Sequence, residues 1–266
     1  MIRLVAVDVD DTLINHDLQI SEDNKRAVRE TMDKGIIVTL ATGRMHRSAV
    51  PFARVLNMPE DQPIITYNGA MTRTLAGTML NHIPVGRDVV LDVIALAQEG
   101  QWTLNVYHDD LLYVDSMDHH VRDYEALSGV RAEIVGPLDQ FVKSGHDEIS
   151  KLLVVGEPAE TEQRVEIIRK TLGARAEVVR SRAKFIEITD RGANKGVALA
   201  RLAETLGVPA QEVLAIGDSG NDVAMFKYAG TSVAMANANP VVREQAGFVT
   251  GSNAESGVAA ALRRFC

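Results

Sequence analysis

The sequence predicts an α/β protein in which a doubly wound parallel sheet is interrupted by an inserted α+β domain. Short apolar segments alternate with helical patterns at both ends of the chain, as in parallel-sheet proteins. Between about residues 84 and 189 the pattern changes to a hairpin and further strands interleaved with helices. The 266 residues also exceed the usual size of one domain. We therefore expect a discontinuous domain (1–83 and 190–266) and an inserted domain (84–189).

The elements of the discontinuous domain follow from local signals. The apolar residues at positions 2 and 4–7 predict a strand that is buried on both faces, as in the middle of a parallel sheet. Ser21 is a suitable N-cap for a helix over 22–34, which Gly35 would end. The other elements expected here are strands over 36–41, 64–67, 213–216 and 231–235, and helices over 45–56, 196–206, 222–228 and 257–264.

The inserted domain is predicted to contain a hairpin that turns at Asp109-Asp110, with strands over 102–108 and 111–114. Further strands are expected over 149–155, 176–179 and 185–189. The crossings between the domains are expected at 82–86 and 190–194, because each contains a glycine that can absorb a hinge rotation. His119 and His120 are neighbours in this domain, so on a helix their side chains are expected to diverge and not to share a metal ion.

Composition limits the classes of partner. The net charge of −8 argues against sequence-independent binding of nucleic acid or anionic lipid, which depends on clustered lysine and arginine. Cys266 is the one cysteine, so an internal disulfide is impossible and a reducing cytoplasm fits. No leader pattern and no apolar run of membrane-spanning length is present. We expect a cytoplasmic protein, and the sequence leaves monomer and homodimer open.

Two carboxylates mark the end of the first predicted strand. Asp8 and Asp10 leave the sheet on the same side because strand side chains alternate with a period of two. Open α/β sheets bind ligands at this carboxyl end. Like charges so close together are costly unless a cation lies between them or one carries a proton. Both remedies suit an enzyme that transfers phosphoryl groups.

Three other sites share this placement. Thr42-Gly43-Arg44 offers a hydroxyl and exposed amides at a helix start, where a phosphate would be stabilised. Lys195 lies where a helix begins, which requires a nearby anion because the helix dipole disfavours a cation there. Asp218 and Asp222 are one turn apart, so they can share a target with Asp8. Carboxylate oxygens with water and a substrate phosphate are the ligands that Mg²⁺ prefers.

These residues together resemble the four motifs of the haloacid dehalogenase-like phosphatases, in the right order. The motifs are Asp8-x-Asp10-x-Thr12, Thr42, Lys195 and Gly217-Asp218-x-x-Asn221-Asp222. The insertion between the second and third motifs resembles the α/β cap of the Cof-type branch, and segments 67–70 and 233–238 are also similar to that branch. Ala236 departs from it, since the branch commonly has glycine there. The resemblance covers essentially the whole chain and implies a Rossmann-like core with a substrate-specificity cap.

The resemblance also implies roles for the acidic residues. Asp8 would attack phosphorus and form an aspartyl phosphate. Asp10 would protonate the leaving group and then deprotonate the attacking water. The Asp8 side chain, the Asp10 backbone carbonyl and Asp218 would hold Mg²⁺, with Asp222 behind them.

The phosphate-binding group implied by the resemblance is larger. Its members would bind the phosphate oxygens, and they are Val9, Thr42, Gly43, Lys195 and Asn221. Val9 and Gly43 would do so through their backbone amides. Thr12 would orient Asp10 or support the turn. Arg44 borders the second motif, where either contact with the substrate or solvation at the helix start accounts for it equally well. The implied function is a Mg²⁺-dependent phosphomonoester hydrolase acting on a small phosphorylated metabolite, a sugar phosphate.

Two other functions remain open at this stage. A phosphomutase on the same scaffold would return the phosphoryl group to a sugar instead of transferring it to water. A phospho-accepting receiver module also combines acidic residues, threonine and lysine on a parallel sheet, but receivers are about half this length and lack an inserted domain. A dinucleotide-binding protein is disfavoured because no Gly-x-Gly-x-x-Gly follows any predicted strand.

Overall fold

The computed structural model describes residues 1–266 and divides into two compact units. The first unit consists of Met1–Asn81 and Asn194–Cys266, and the second consists of His82–Ala193. None of the helices combines the length and hydrophobicity needed to span a bilayer.

The strands, in chain order, are β1 (Leu4–Val7), β2 (Ile37–Ala41), β3 (Pro63–Thr66), β4 (Met71–Thr74), β5 (Met79–His82), β6 (Thr103–His108), β7 (Leu111–Val114), β8 (Ala132–Ile134), β9 (Ile149–Val155), β10 (Ala176–Arg182), β11 (Phe185–Asp190), β12 (Val213–Gly217), β13 (Thr231–Ala234) and β14 (Phe248–Val249). The helices are α1 (Glu22–Asp33), α2 (His46–Val55), α3 (Arg87–Gly100), α4 (His119–Ser128), α5 (Leu138–Lys143), α6 (Pro158–Leu172), α7 (Lys195–Thr205), α8 (Val223–Tyr228), α9 (Pro240–Arg243) and α10 (Gly257–Phe265).

The first unit is built on an eight-stranded sheet in the order β14-β13-β12-β1-β2-β3-β4-β5. The strands from β14 to β3 run parallel, which confirms the predicted α/β class. Val7 pairs with Leu40 of β2 and with Ile216 of β12, so these three strands reach their carboxyl ends side by side. The sequence did not predict β4, which pairs antiparallel with β3 after a reversal at Tyr67–Gly69.

Strand β1 lies in the middle of this sheet and is buried on both faces, as predicted. Val5 and Val7 belong to a core formed with α1, α2 and α10. Leu4 and Ala6 belong to a second core formed with α7 and α8. Helices on both faces exclude water from the sheet, so the polar residues that follow β1 lie at the carboxyl end of the strand, outside the two cores.

The helix boundaries agree with the capping signals. The Ser21 hydroxyl accepts a hydrogen bond from the Asn24 amide at 3.2 Å, which starts α1. Gly35 follows the helix with φ of +79°, a conformation that glycine adopts without strain. The predicted helix over 22–34 is therefore confirmed to within one residue.

The second unit contains a six-stranded sheet in the order β10-β11-β9-β6-β7-β8. Its pairs are antiparallel except for β7 and β8. The predicted hairpin is present, with Asp109 and Asp110 both at positive φ in its turn. Helices α3, α5 and α6 cover one face of the sheet, and on the other face the Tyr107 hydroxyl bonds to the Tyr124 hydroxyl of α4 at 2.7 Å.

The prediction that His119 and His120 diverge is wrong. Their ring centroids lie 3.9 Å apart. Both are at the start of α4, where no preceding helical turn restricts the side-chain rotamers, so the two rings turn towards each other.

Candidate active site

The site lies at the carboxyl ends of neighbouring parallel strands. The Asp8 amide donates to the Ile216 carbonyl at 2.9 Å, which ties the first residue after β1 to the end of β12. The Thr42 amide donates to the Ile65 carbonyl at 2.9 Å, which ties the end of β2 to β3. Residues distant in sequence are therefore collected at one sheet edge.

A tight turn follows β1. Residues Val9–Leu13 form a wide helical turn in which Asp11 has a positive φ of 56°, and the Ile14 amide closes it onto the Val9 carbonyl at 3.0 Å. The Thr12 hydroxyl donates to Asp218 Oδ1 at 2.7 Å. Thr12 therefore holds a carboxylate of the β12 loop, whereas the sequence suggested a role towards Asp10 or within the turn.

Lys195 is the central cation of the site. It is 1% exposed, and its Nζ lies 2.6 Å from Asp8 Oδ1 and 2.7 Å from Asp222 Oδ1. Asn194 caps the start of α7 by accepting a hydrogen bond from the Val197 amide at 2.9 Å, which fixes the lysine backbone. The two carboxylates supply the negative charge needed by a lysine at a helix N-terminus.

Asp222 is held by the backbone of its own loop. Its Oδ2 accepts hydrogen bonds from the amides of Asp218 and Ser219, both at 3.0 Å. Gly217 makes this possible, because a Cβ at that position would overlap the Asp222 carboxyl group. The loop thereby turns Oδ1 of Asp222 towards Lys195.

Three carboxylates form a group that suits a metal ion. Asp8, Asp218 and Asp222 each offer an oxygen, and these oxygens lie within 4.8 Å of one another. Lys195 offsets one of the three negative charges, so a divalent cation would neutralise the remainder. An all-oxygen donor set of this kind fits a hard cation of the Mg²⁺ type.

Burial controls the protonation of this group. Burial raises the pKa of Asp8 well above its ordinary value; Lys195 opposes the shift, and the charges of Asp222 and Asp218 add to it. Burial likewise raises the pKa of Asp218 to about 6, although the hydrogen bond from Thr12 acts to lower it. Burial alone would lower the pKa of Lys195, but the charges of Asp222 and Asp8 reverse this and raise it. Each shift reflects charge concentrated in a dry site.

Arg44 makes a two-pronged ion pair with Asp10. Its Nε lies 2.8 Å from Asp10 Oδ2, and its Nη2 lies 2.6 Å from Oδ1. The Arg44 backbone amide donates to the Thr42 hydroxyl at 3.1 Å, and the guanidinium lies over the Phe52 ring at 4.9 Å. A planar fork on a carboxylate fixes the orientation of both groups. The structure thus places Arg44 against an acidic side chain of the site.

Asn68 belongs to the site but was not among the predicted site residues. The Asn221 side-chain amide donates to Asn68 Oδ1 at 2.9 Å. Gly43 lies against the same side chain, because a Cβ there would come within 2.9 Å of Asn68 Oδ1. The signal that identifies Asn68 is the Asn-Gly pair after β3, since asparagine tolerates the positive φ of 55° found there.

The chain matches known proteins over its whole length. A family model described as haloacid dehalogenase-like hydrolase matches residues 5–262. The Bacillus subtilis (strain 168) protein 5-amino-6-(5-phospho-D-ribitylamino)uracil phosphatase YcsE is 31% identical over 264 residues, covering 99% of this chain and 96% of that protein.

Two solved structures are similar over the full chain. TM0651 from Thermotoga maritima has a TM-score of 0.90 and 29% identity, covering 100% of this chain and 98% of the other. A haloacid dehalogenase-like hydrolase from Bacteroides thetaiotaomicron has a TM-score of 0.90 and 29% identity, with 100% of both chains covered.

Proposed function

Because the chain belongs to the haloacid dehalogenase-like hydrolases and is a phosphatase, we propose that it hydrolyses a small phosphorylated metabolite through an aspartyl phosphate on Asp8, with Mg²⁺ as cofactor. One observation carries the proposal. Asp8 is 4% exposed and lies beside both a buried ammonium group and two further carboxylates. A carboxylate in such a setting can attack an anionic phosphate because the surrounding charges are compensated.

The first step is transfer of the phosphoryl group to the enzyme. An oxygen of Asp8 forms a bond to phosphorus while the bond between phosphorus and the leaving oxygen breaks. The Asp8 hydrogen bond from Lys195 is to Oδ1, which leaves Oδ2 for the attack. Asp10 gives its proton to the leaving oxygen, so the product departs as an alcohol.

The second step releases phosphate. A water oxygen attacks phosphorus, the bond to Asp8 breaks, and Asp10 takes the proton of the water. Lys195, Thr42, Asn221 and the amides of Val9 and Gly43 would hold the phosphate oxygens in both steps. The cycle returns Asp8 as a carboxylate and Asp10 as an acid.

The cofactor would be held by Asp8, Asp218 and the Asp10 backbone carbonyl, with Asp222 behind them. Bound there, Mg²⁺ supplies positive charge that offsets the charge of the phosphate and of the attacking carboxylate. The oxygen donor set of the carboxylate group supports this choice over a softer ion.

The substrate we propose is a phosphorylated sugar or sugar alcohol. The named activity of the relative YcsE, on a phosphoribityl compound, supports a leaving group that is a polyhydroxylated primary alcohol. We assign selection of that leaving group to the inserted residues 84–189, as the family resemblance implies.

A panel of sugar phosphates tests the proposal, assayed for released phosphate with and without Mg²⁺. We expect turnover that stops with a chelator and returns with Mg²⁺. Asp8→Asn should lose nearly all turnover and keep its thermal unfolding midpoint, because it conserves shape and removes the nucleophile. Asp61→Asn, at an exposed position, is the matched control and should retain activity.

Two further measurements test the intermediate and the reaction type. A beryllium fluoride adduct, which mimics an aspartyl phosphate, should form on the wild type and not on Asp8→Asn. Its formation on Asp8→Asn, or turnover that survives complete chelation, would contradict the proposal. Inorganic phosphate released in equal amount to the substrate consumed excludes a phosphomutase.

A further inference from the structure

A second group of metal-binding side chains lies in the second unit, formed by His119, His120 and Glu157. Each offers one ligand atom, and these atoms lie within 4.8 Å of one another. We propose that this group binds a divalent transition-metal ion of the Zn²⁺ or Cu²⁺ class. The proposal is independent of the function proposed for Asp8.

The backbone holds the three residues in place. Asp118 caps α4 by accepting a hydrogen bond from the Val121 amide at 2.8 Å, and its other oxygen accepts one from the Thr103 hydroxyl of β6. His119 and His120 are the first two residues of this helix. Glu157 directly precedes Pro158, the first residue of α6, whose ring restricts the backbone there. The ligands therefore come from two anchored helix starts.

The side chains have the freedom and the chemistry for coordination. Ligand atoms around a four-coordinate zinc ion at its usual bond lengths of ~2.0–2.1 Å lie about 3.3 Å apart. Small rotations of the exposed His119 and Glu157 and the half-buried His120 bring them to that spacing. Neither imidazole makes a hydrogen bond or an ion pair within the protein that would have to be broken. Two imidazoles and one carboxylate leave a fourth position for water.

A lysine side chain of the protein competes with a metal ion for the Glu157 carboxylate. Lys184 Nζ lies 4.0 Å from Glu157 Oε1. Its positive charge repels a bound metal ion and draws the carboxylate away. Lys184→Gln should therefore tighten metal binding, whereas Glu157→Gln should weaken it.

The donor atoms separate this site from the carboxylate group of Asp8, Asp218 and Asp222. That group offers oxygen, whereas His119 and His120 offer nitrogen. Imidazole binds Cu²⁺ and Zn²⁺ more strongly than it binds Mg²⁺, because nitrogen suits the softer ions. Nitrogen coupling in the electron paramagnetic resonance spectrum of Cu²⁺ therefore distinguishes this site from the carboxylate group, and its loss in histidine variants assigns it to His119 and His120.

The experiment adds one equivalent of Cu²⁺ to the full-length protein in excess Mg²⁺. We expect nitrogen superhyperfine coupling in the wild type, and its loss in the double variant His119→Ala/His120→Ala. The Zn²⁺ dissociation constant should rise roughly tenfold or more in each single histidine variant. His16→Ala removes an exposed imidazole of the first unit and should change neither measurement.

Three results would overturn the proposal: a Cu²⁺ spectrum without nitrogen coupling, coupling that survives in the double variant, or Zn²⁺ affinity unchanged by both histidine variants. Circular dichroism of each variant verifies folding. Tighter binding in Lys184→Gln supports the assignment even if one alanine variant proves unstable.

Discussion

The burial of Lys195 shows how the site remains assembled around so many acidic groups. One ammonium bridges Asp8 and Asp222, while Thr12 and the loop amides satisfy oxygens of Asp218 and Asp222. Removing one member of a buried ionic group leaves its partners uncompensated, which costs more than an exposed pair is worth. The geometry of the nucleophile therefore depends on residues that come from three separate segments of the chain.

Arg44 is expected to act through Asp10. Arg44→Ala should slow hydrolysis of an alkyl phosphate by roughly 10- to 100-fold, because Asp10 loses the fork that orients it as a proton donor. The effect on p-nitrophenyl phosphate should be much smaller, since p-nitrophenolate departs without a proton. Steady-state kinetics on both substrates measure the difference. Arg54→Ala, an exposed change on α2, should affect neither.

An equal loss on both substrates would contradict this role. It would instead indicate that Arg44 contacts the phosphate group, which is common to the two substrates.

Metal binding should depend on pH through Asp218. Burial raises its pKa from 3.8 to about 6, so at pH 5 the cation must displace a proton. Apparent Mg²⁺ affinity should therefore rise between pH 5 and pH 7. The ion-free protein should lose stability over the same rise, because the folded state binds more protons than the unfolded state between these two pKa values.

Thermal unfolding with and without Mg²⁺ at pH 5 and pH 7.5 measures both effects. The Mg²⁺-induced rise in melting temperature should be larger at pH 7.5. Asp218→Asn should remove most of the rise at either pH. A rise that is the same at both pH values would show that Asp218 is already ionised at pH 5.

Sequence reasoning located residues such as Asp8, Lys195 and Asp222 because each lies where a strand ends or a helix begins. It did not assign their partners. The bond from Thr12 to Asp218 spans 206 positions, and the pair of Arg44 with Asp10 spans 34. Such contacts depend on strand order and on rotamers, neither of which leaves a periodic signal along the chain.

At the level of secondary structure, the buried strands were the easiest to predict. β9 was predicted over its observed range, because Ile149–Val155 is continuously buried and mostly apolar. β4, β5 and β8 were not predicted; they are short and carry polar residues, so they lack the apolar run that marks a strand. Strand β10 extends to Arg182, past its predicted end at residue 179. The prediction stopped early because the last residues of the strand are exposed and polar, so they lack the apolar pattern of a strand.

Gly69 sets how closely the turn after β3 approaches the start of α7. Its φ is +99°, and a Cβ would overlap the Asn194 carbonyl beside Lys195. Gly69→Ala should therefore lower the free energy of unfolding by more than about 2 kcal/mol. Gly77 has a φ of +98° with open space around it, so Gly77→Ala isolates the backbone strain and should cost only about 1 kcal/mol.

Urea unfolding of both variants measures the difference. Equal costs would mean that the turn can move away from α7 without penalty. Activity should also fall more in Gly69→Ala, because the displaced backbone belongs to Asn194 and Lys195.

At the level of the whole molecule, each unit has its own hydrophobic core. Leu104, Val106, Leu152 and Ile188 belong to the core of the second unit, beneath α3 and α6. A sheet with one covered face and a contiguous core satisfies the requirements of an independent domain. The role of residues 84–189 in substrate choice stays a prediction.

The second unit is expected to fold by itself. A fragment of residues 82–193 should unfold cooperatively in urea and lack phosphatase activity, because the residues proposed for catalysis belong to the first unit. Leu152→Ala in the fragment should cost roughly 2–5 kcal/mol, as for other buried leucines. Leu127→Ala, at a position 49% exposed, is the matched control. Gradual, non-cooperative unfolding of the fragment would contradict its independence.

The central position of β1 has a consequence for protein synthesis. β1 pairs on one side with β2, which follows within about thirty residues, and on the other with β12, whose Val213 pairs with Leu4. At translation rates of ~5–20 residues per second, the second partner emerges from the ribosome roughly 10 to 40 s after the first strand. During that interval an apolar strand edge is open to neighbouring nascent chains. Shielding by a ribosome-associated chaperone should therefore raise the yield of native protein.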